Sequence, residues 1–176
     1  CEYYTSDYGM ETRIVRFHNI YGEYGTYDGG REKAPAAMAR KVANVKDGGE
    51  IEIWGDGEQT RSFCHVADCV EGIHRLMRSD YREPLNLGTD QIITINDLAK
   101  LVIGISGKRD IRLRHVPGPQ GVRGRNSDNT RLREVLGWEP RISLEEGMVP
   151  TYRWINARVH GEEDPAWTPL AAVAAG

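Results

Sequence analysis

Apolar residues recur along this chain in two rhythms, and the rhythm decides the element. Over 33–46, Ala36, Ala37, Ala39, Val42 and Val45 fall at helical spacing behind Pro35, whose missing N–H costs little in a first turn, so a helix is predicted. A second helix over 66–79 places Val70, Ile73, Leu76 and Met77 on one face. A third, capped by Thr94 or Asn96, carries Leu98, Leu101 and Val102. A short helix at 131–136 is stopped by Gly137, and Ser143 with Glu146 at the capping-box spacing opens a last helix running to about residue 159. Short apolar or alternating runs at 12–17, 50–54, 60–64, 84–87 and 111–115 predict strands. The runs at 50–54 and 60–64 flank Gly55-Asp56-Gly57, which predicts a hairpin. Residues 18–30 are rich in turn formers, and 116–129, with four Gly or Pro in its first six positions, reads as a loop. Residues 1–8 read as the end of a helix that began upstream, stopped by Gly9, so a fragment is expected; beyond Gly161 an Ala/Pro-rich tail without periodicity is expected to be mobile. Strands and helices alternate throughout, which predicts an α/β architecture.

Composition narrows the partners. The 176 residues are 39% hydrophobic and 28% charged, a globular balance. The net charge of −3 is too mild to argue for nucleic acid, and no apolar run is long enough to cross a membrane. Neither partner is expected. Cys1, Cys64 and Cys69 are odd in number and form no Cys-x-x-Cys pair, which disfavours a disulfide scaffold or a zinc site and makes a reducing cytoplasm the default.

Four strings carry candidate chemistry. In Gly29-Gly30-Arg31-Glu32-Lys33-Ala34-Pro35, a lysine sits at a helix N-terminus, where the dipole favours anions; it is either a working cation or a surface lysine in a salt bridge. In the 54–61 string, Gln59, Thr60 and Arg61 crowd just past a turn, and are either contacts to a sugar or phosphate or parts of the turn. The 118–124 string has Gly-x-x-Gly-x-x-Gly spacing, but no helix starts on its last glycine, so a loop presenting Arg123 and Arg125 to a diphosphate or to solvent fits better than a dinucleotide loop. Cys64 and Cys69 read as small buried residues, His65 as a capping or packed residue, and Asp128 and Asn129 as helix caps.

Taken together, Arg16-Phe17-His18-Asn19-Ile20-Tyr21-Gly22, Arg61-Ser62-Phe63 with His65-Val66-Ala67-Asp68, Asn86-Leu87-Gly88 and Leu136-Gly137-Trp138-Glu139-Pro140 resemble the C-terminal portion of extended short-chain dehydrogenase/reductases that act on nucleotide sugars. Within that family the strings at 29–37, 54–63 and 118–129 resemble the branch that epimerises GDP-mannose, over roughly residues 1–156. The resemblance implies a Rossmann-like sheet in part (residues 1–22 and 63–88), a small α/β nucleotide-sugar-binding lobe (23–62 and 89–160) and a flexible tail (161–176). It implies NAD as cofactor, GDP-mannose or a related GDP-sugar as substrate, and a homodimeric parent. Members oxidise the hexose at C4, invert C3 and C5 through the acidified neighbouring protons, and reduce C4 again to give GDP-L-galactose. On the matching positions Lys33 is the acid that reprotonates the sugar. Asn19, Glu32, Lys33, Ala34, Lys41, Gln59, Thr60, Arg61 and Arg125 hold the GDP-sugar.

This sequence departs from the family's full pattern. Its glycine-rich NAD loop and Tyr-x-x-x-Lys pair have no counterpart here, and Cys1 is misplaced for the family's catalytic cysteine. The chain alone is therefore expected to be inactive, and to fold poorly because apolar strands lack sheet partners. The competing expectations are a GDP-sugar-binding module without catalysis, or another extended reductase, such as a 4-epimerase or dehydratase of UDP- or dTDP-sugars.

Overall fold

The computed structural model describes residues 1–119 and 121–162; the mobility expected of the tail falls, from residue 163 on, outside the described residues. In chain order the elements are α1 (Glu2–Tyr8), β1 (Val15–Phe17), β2 (Ile20–Tyr21), α2 (Ala34–Asn44), β3 (Glu50–Trp54), β4 (Thr60–Ser62), β5 (Cys64–His65) and α3 (Val66–Arg78). There follow β6 (Leu85–Leu87), β7 (Ile92–Thr94), α4 (Ile95–Ser106), β8 (Arg112–Val116), β9 (Gly124–Arg125), α5 (Thr130–Leu136) and α6 (Leu144–His160). The α/β class read from the sequence is the class observed.

Helix ends follow local chemistry. Gly9, Gly107, Gly137 and Gly161 close α1, α4, α5 and α6 in the left-handed conformation that an L side chain resists. Thr94 caps α4 by accepting from the Asp97 N–H, and Ser143 and Glu146 complete the capping box of α6.

Strand pairing departs from the sequence reading at one place. β3 does not fold back onto β4: it runs parallel to β8, Glu50 to Trp54 against Arg112 to Val116. β4 instead joins β7, antiparallel, and β9, parallel. The Gly55-Asp56-Gly57 turn is held by Asn96, whose side chain donates to the Asp56 carbonyl at 2.9 Å and whose N–H donates to the Gly57 carbonyl at 3.0 Å. That anchor on α4 carries the chain out of one sheet into another. Two further parallel pairs, β1 with β6 and β2 with β5, complete the sheets of the described residues.

Two apolar clusters hold the layers. One gathers α2, β3, α4 and α6 around Val42, Ile53, Leu98, Met148 and Ile155. The other packs α3 and α5 on β6 through Cys69, Leu76, Leu87, Leu132 and Trp138. The face of α3 is rotated from the predicted one. Cys69, Gly72 and Leu76 are buried, whereas Val70 and Met77 are 60% and 67% exposed. Gly72 explains the rotation: a Cβ there would stand 2.6 Å from Leu87, so the helix approaches β6 on its bare side. Among the described residues no helix is long and apolar enough to cross a membrane.

Candidate functional site

The N-terminus of α2 divides two cavities. Lys33 is the helix's N-cap residue, with extended backbone and no capping bond from its side chain. Ala34, Met38 and Lys41, at helical spacing, turn toward a cavity of about 490 Å³ that Glu32, Trp54 and Gln59 also line. Lys33 and Ala36 turn the other way, toward a cavity of about 260 Å³ shared with Glu23 and Arg31.

The larger cavity has an aromatic wall and an unanswered acceptor. Trp54 is half-exposed, and the loop after β8 lies against its ring; a Cβ on Gly118 would come within 2.8 Å of it. Gln59 is only 8% exposed. Its Nε2 donates to the Trp54 carbonyl at 3.4 Å, while its Oε1 is buried without a hydrogen-bond partner. The amide cannot simply be turned over, since Oε1 would then face that carbonyl. Lys41 donates to the Glu52 carbonyl at 2.6 Å, and burial lowers its pKa. The Glu32 carboxyl is held below its ordinary range by its own backbone N–H, with the Arg40 guanidinium and the Gly30 N–H adding to the effect.

Thr60 and Arg61 lie on β4, in register with Gly124 and Arg125 of β9. Arg61 donates to the Thr60 carbonyl at 2.7 Å, yet neither Arg61 nor Arg125 has a carboxylate partner among the described residues. Like charges at paired positions of neighbouring strands are unfavourable, and an anion bound by both side chains would relieve this. Burial, then the charge of Arg125, lowers the pKa of His18. Arg123, read from the sequence as Arg125's companion, is committed elsewhere. It clamps both oxygens of Asp56 at 3.0 and 2.7 Å, fastening the loop after β8 to the turn after β3. Asn19 stands in the left-handed region at φ 47° and donates to the Ser62 carbonyl at 2.9 Å, at the far end of β4 from Gln59. Arg125 lines neither cavity; β4 is the link between it and them.

His65 caps α3, its Nδ1 accepting from the Ala67 N–H at 3.3 Å, which leaves Nε2 to face the Glu23 carboxylate at 3.2 Å. Burial pushes the Cys64 thiol up to about 12 and raises that of Cys69, so both are inert packing groups. Asp128 accepts from the Thr130 N–H, but the Asn129 side chain turns away to the Gly88 carbonyl at 2.9 Å. The Gly-x-x-Gly-x-x-Gly string runs from β8 into β9, not into a helix N-terminus, so it does not fit the pyrophosphate of NAD. Sequence reasoning passed over Arg40, Glu23 and Trp54; only Arg40, about two helical turns beyond Lys33 on the same helix, carried a positional hint.

The mixed α/β fold with parallel strand pairs is in keeping with the class of nucleotide-sugar epimerases and dehydratases. The family model described as the NAD dependent epimerase/dehydratase family matches residues 1–88, half of the chain, and the chain belongs to that family. NAD is that family's cofactor. Over 163 residues the chain is 50% identical to GDP-mannose 3,5-epimerase 1 of Oryza sativa subsp. indica, covering 93% of this chain and 42% of that protein. The GDP-mannose 3,5-epimerase of Arabidopsis thaliana matches with the same identity and coverage. Among solved structures, the UDP-glucose 4-epimerase of Thermotoga maritima with UDP-glucose superposes with a TM-score of 0.79 at 32% identity, over 90% of this chain and 50% of that one. The chain thus spans about 42% of the length of the curated relatives it matches.

Proposed function

We propose that this chain is the nucleotide-sugar-binding part of an epimerase that converts GDP-mannose to GDP-L-galactose. The observation that carries the reading is the pair Arg61 and Arg125, in register and without a carboxylate partner among the described residues. It lies along β4 between the cavity of Gln59 and the end marked by Asn19, whose neighbour Ile20 lines the cavity of Lys33. A ligand that follows this path has three parts. Its base lies in the larger cavity, against Trp54 and beside Lys41 and Gln59. Its diphosphate lies between the arginines. Its sugar lies toward Lys33, whose ammonium returns a proton to the sugar carbon. Identity of 50% to proteins named GDP-mannose 3,5-epimerase supports GDP-mannose over other nucleotide sugars.

On this reading residues 23–62 and 89–160 form the sugar-nucleotide lobe, and 1–22 with 63–88 belong to the Rossmann-like sheet. The chain by itself binds without turning over, in a reducing cytoplasm where its cysteines stay thiols. Titration calorimetry with GDP-mannose and UDP-glucose tests the proposal. It expects GDP-mannose to bind at least about tenfold tighter. Absence of heat with either ligand, or a preference for UDP-glucose, overturns it.

A further inference from the structure

The geometry points to Arg40 as the positioning residue of this site. From α2 its guanidinium reaches across to the loop ahead of the helix and grips it at three points. Nε donates to the Tyr27 carbonyl at 2.9 Å, Nη2 donates to Glu32 Oε1 at 2.9 Å, and Nη1 lies 3.6 Å from Asp28 Oδ1. Both carboxylates also tie down loop amides: Asp28 accepts from the Gly29 N–H and Glu32 from the Gly30 N–H, each at 2.8 Å. Gly29 and Gly30 stand in the left-handed region, at φ 90° and 81°, so neither a helix nor a strand ladder holds this turn. Asp28 and Glu32 would repel each other without the cation between them. The Glu32 side chain is 9% exposed and that of Arg40 31%, so the ion pair is partly screened from water.

The grip matters because of where the loop leads. Gly30 and Glu32 line the larger cavity, and Arg31 and Lys33 line the smaller one. Lys33 has extended backbone, and it lines one cavity while its neighbour Glu32 lines the other, so the path of this loop decides what each cavity receives. Arg40 sets that path. A lysine cannot replace it, because one ammonium lacks the planar fork that spans three acceptors.

The test uses the full chain with Arg40→Lys and Asp28→Ala, read by hydrogen exchange and by calorimetry. The ligand arm rests on the proposed nucleotide-sugar function; the exchange arm does not. In Arg40→Lys the amides of residues 29–33 are expected to exchange about tenfold faster, with the rest of α2 unchanged. GDP-mannose is expected to bind about tenfold weaker, and GDP, whose base shares the cavity that Glu32 and Arg40 line, is expected to weaken too. Unchanged loop exchange, or unchanged GDP-mannose affinity, overturns the assignment. Should the wild-type chain bind neither ligand, the function reading fails and exchange alone decides: acceleration confined to the loop upholds the clasp, and its absence refutes it. Asp28→Ala removes one of the three points at an exposed residue, and serves if Arg40→Lys does not fold. It should speed the same amides about threefold, and no change there contradicts the clasp.

Discussion

The Gln59 amide carries a cost in the free chain, since a buried acceptor without a partner forfeits its hydration. Its Nε2 bond to Trp54, at 3.4 Å, returns little. Gln59→Leu should therefore stabilise the ligand-free chain by about 1 kcal/mol in urea unfolding while weakening GDP-mannose binding. Destabilisation with binding intact would contradict that role. At this scale much of the site was legible, because Lys33, Gln59, Arg61 and Arg125 stand in strings whose residue types already suggest contact with a sugar diphosphate. Arg123 was not separable from Arg125 by sequence. What separates them is Asp56, 67 positions from Arg123 in the chain, which takes up that guanidinium and leaves Arg125 without an ion pair among the described residues.

Among the elements, α2 depends on a lysine outside it. Lys108, just past α4, donates to the carbonyls of Val42, Ala43 and Val45 at 2.7, 2.8 and 2.6 Å, satisfying the end of the helix whose start forms the site. Lys108→Met should cost about 2 kcal/mol, read as a lower urea midpoint with an unchanged slope. A loss under about 0.5 kcal/mol would show that water serves those carbonyls as well. The helices were readable because capping boxes, terminal glycines and the 3.6-residue rhythm are local signals. Strand pairing was not, because a parallel partner lies far along the chain. β3 finds β8, and the glycine turn that mimics a hairpin is turned aside by Asn96. The buried face of α3 was misjudged for a related reason: Gly72 contributes no apolar weight to a pattern, yet its missing side chain decides how close the helix sits.

For the molecule as a whole, β5 lies against α3 of one apolar cluster and α6 of the other, and the proposed ligand path runs along the neighbouring β4. β1 pairs only with β6 among the described residues, and its Phe17 is 53% exposed. The central claim is that Lys33 and Arg125 address opposite ends of one sugar diphosphate. Calorimetric titration of Lys33→Ala and Arg125→Ala with both GDP and GDP-mannose tests it most directly. Arg125→Ala should weaken both ligands about tenfold or more, and Lys33→Ala should weaken GDP-mannose alone. If both substitutions leave GDP-mannose affinity unchanged, or Lys33→Ala weakens GDP as much as GDP-mannose, the two residues do not share a ligand in this way.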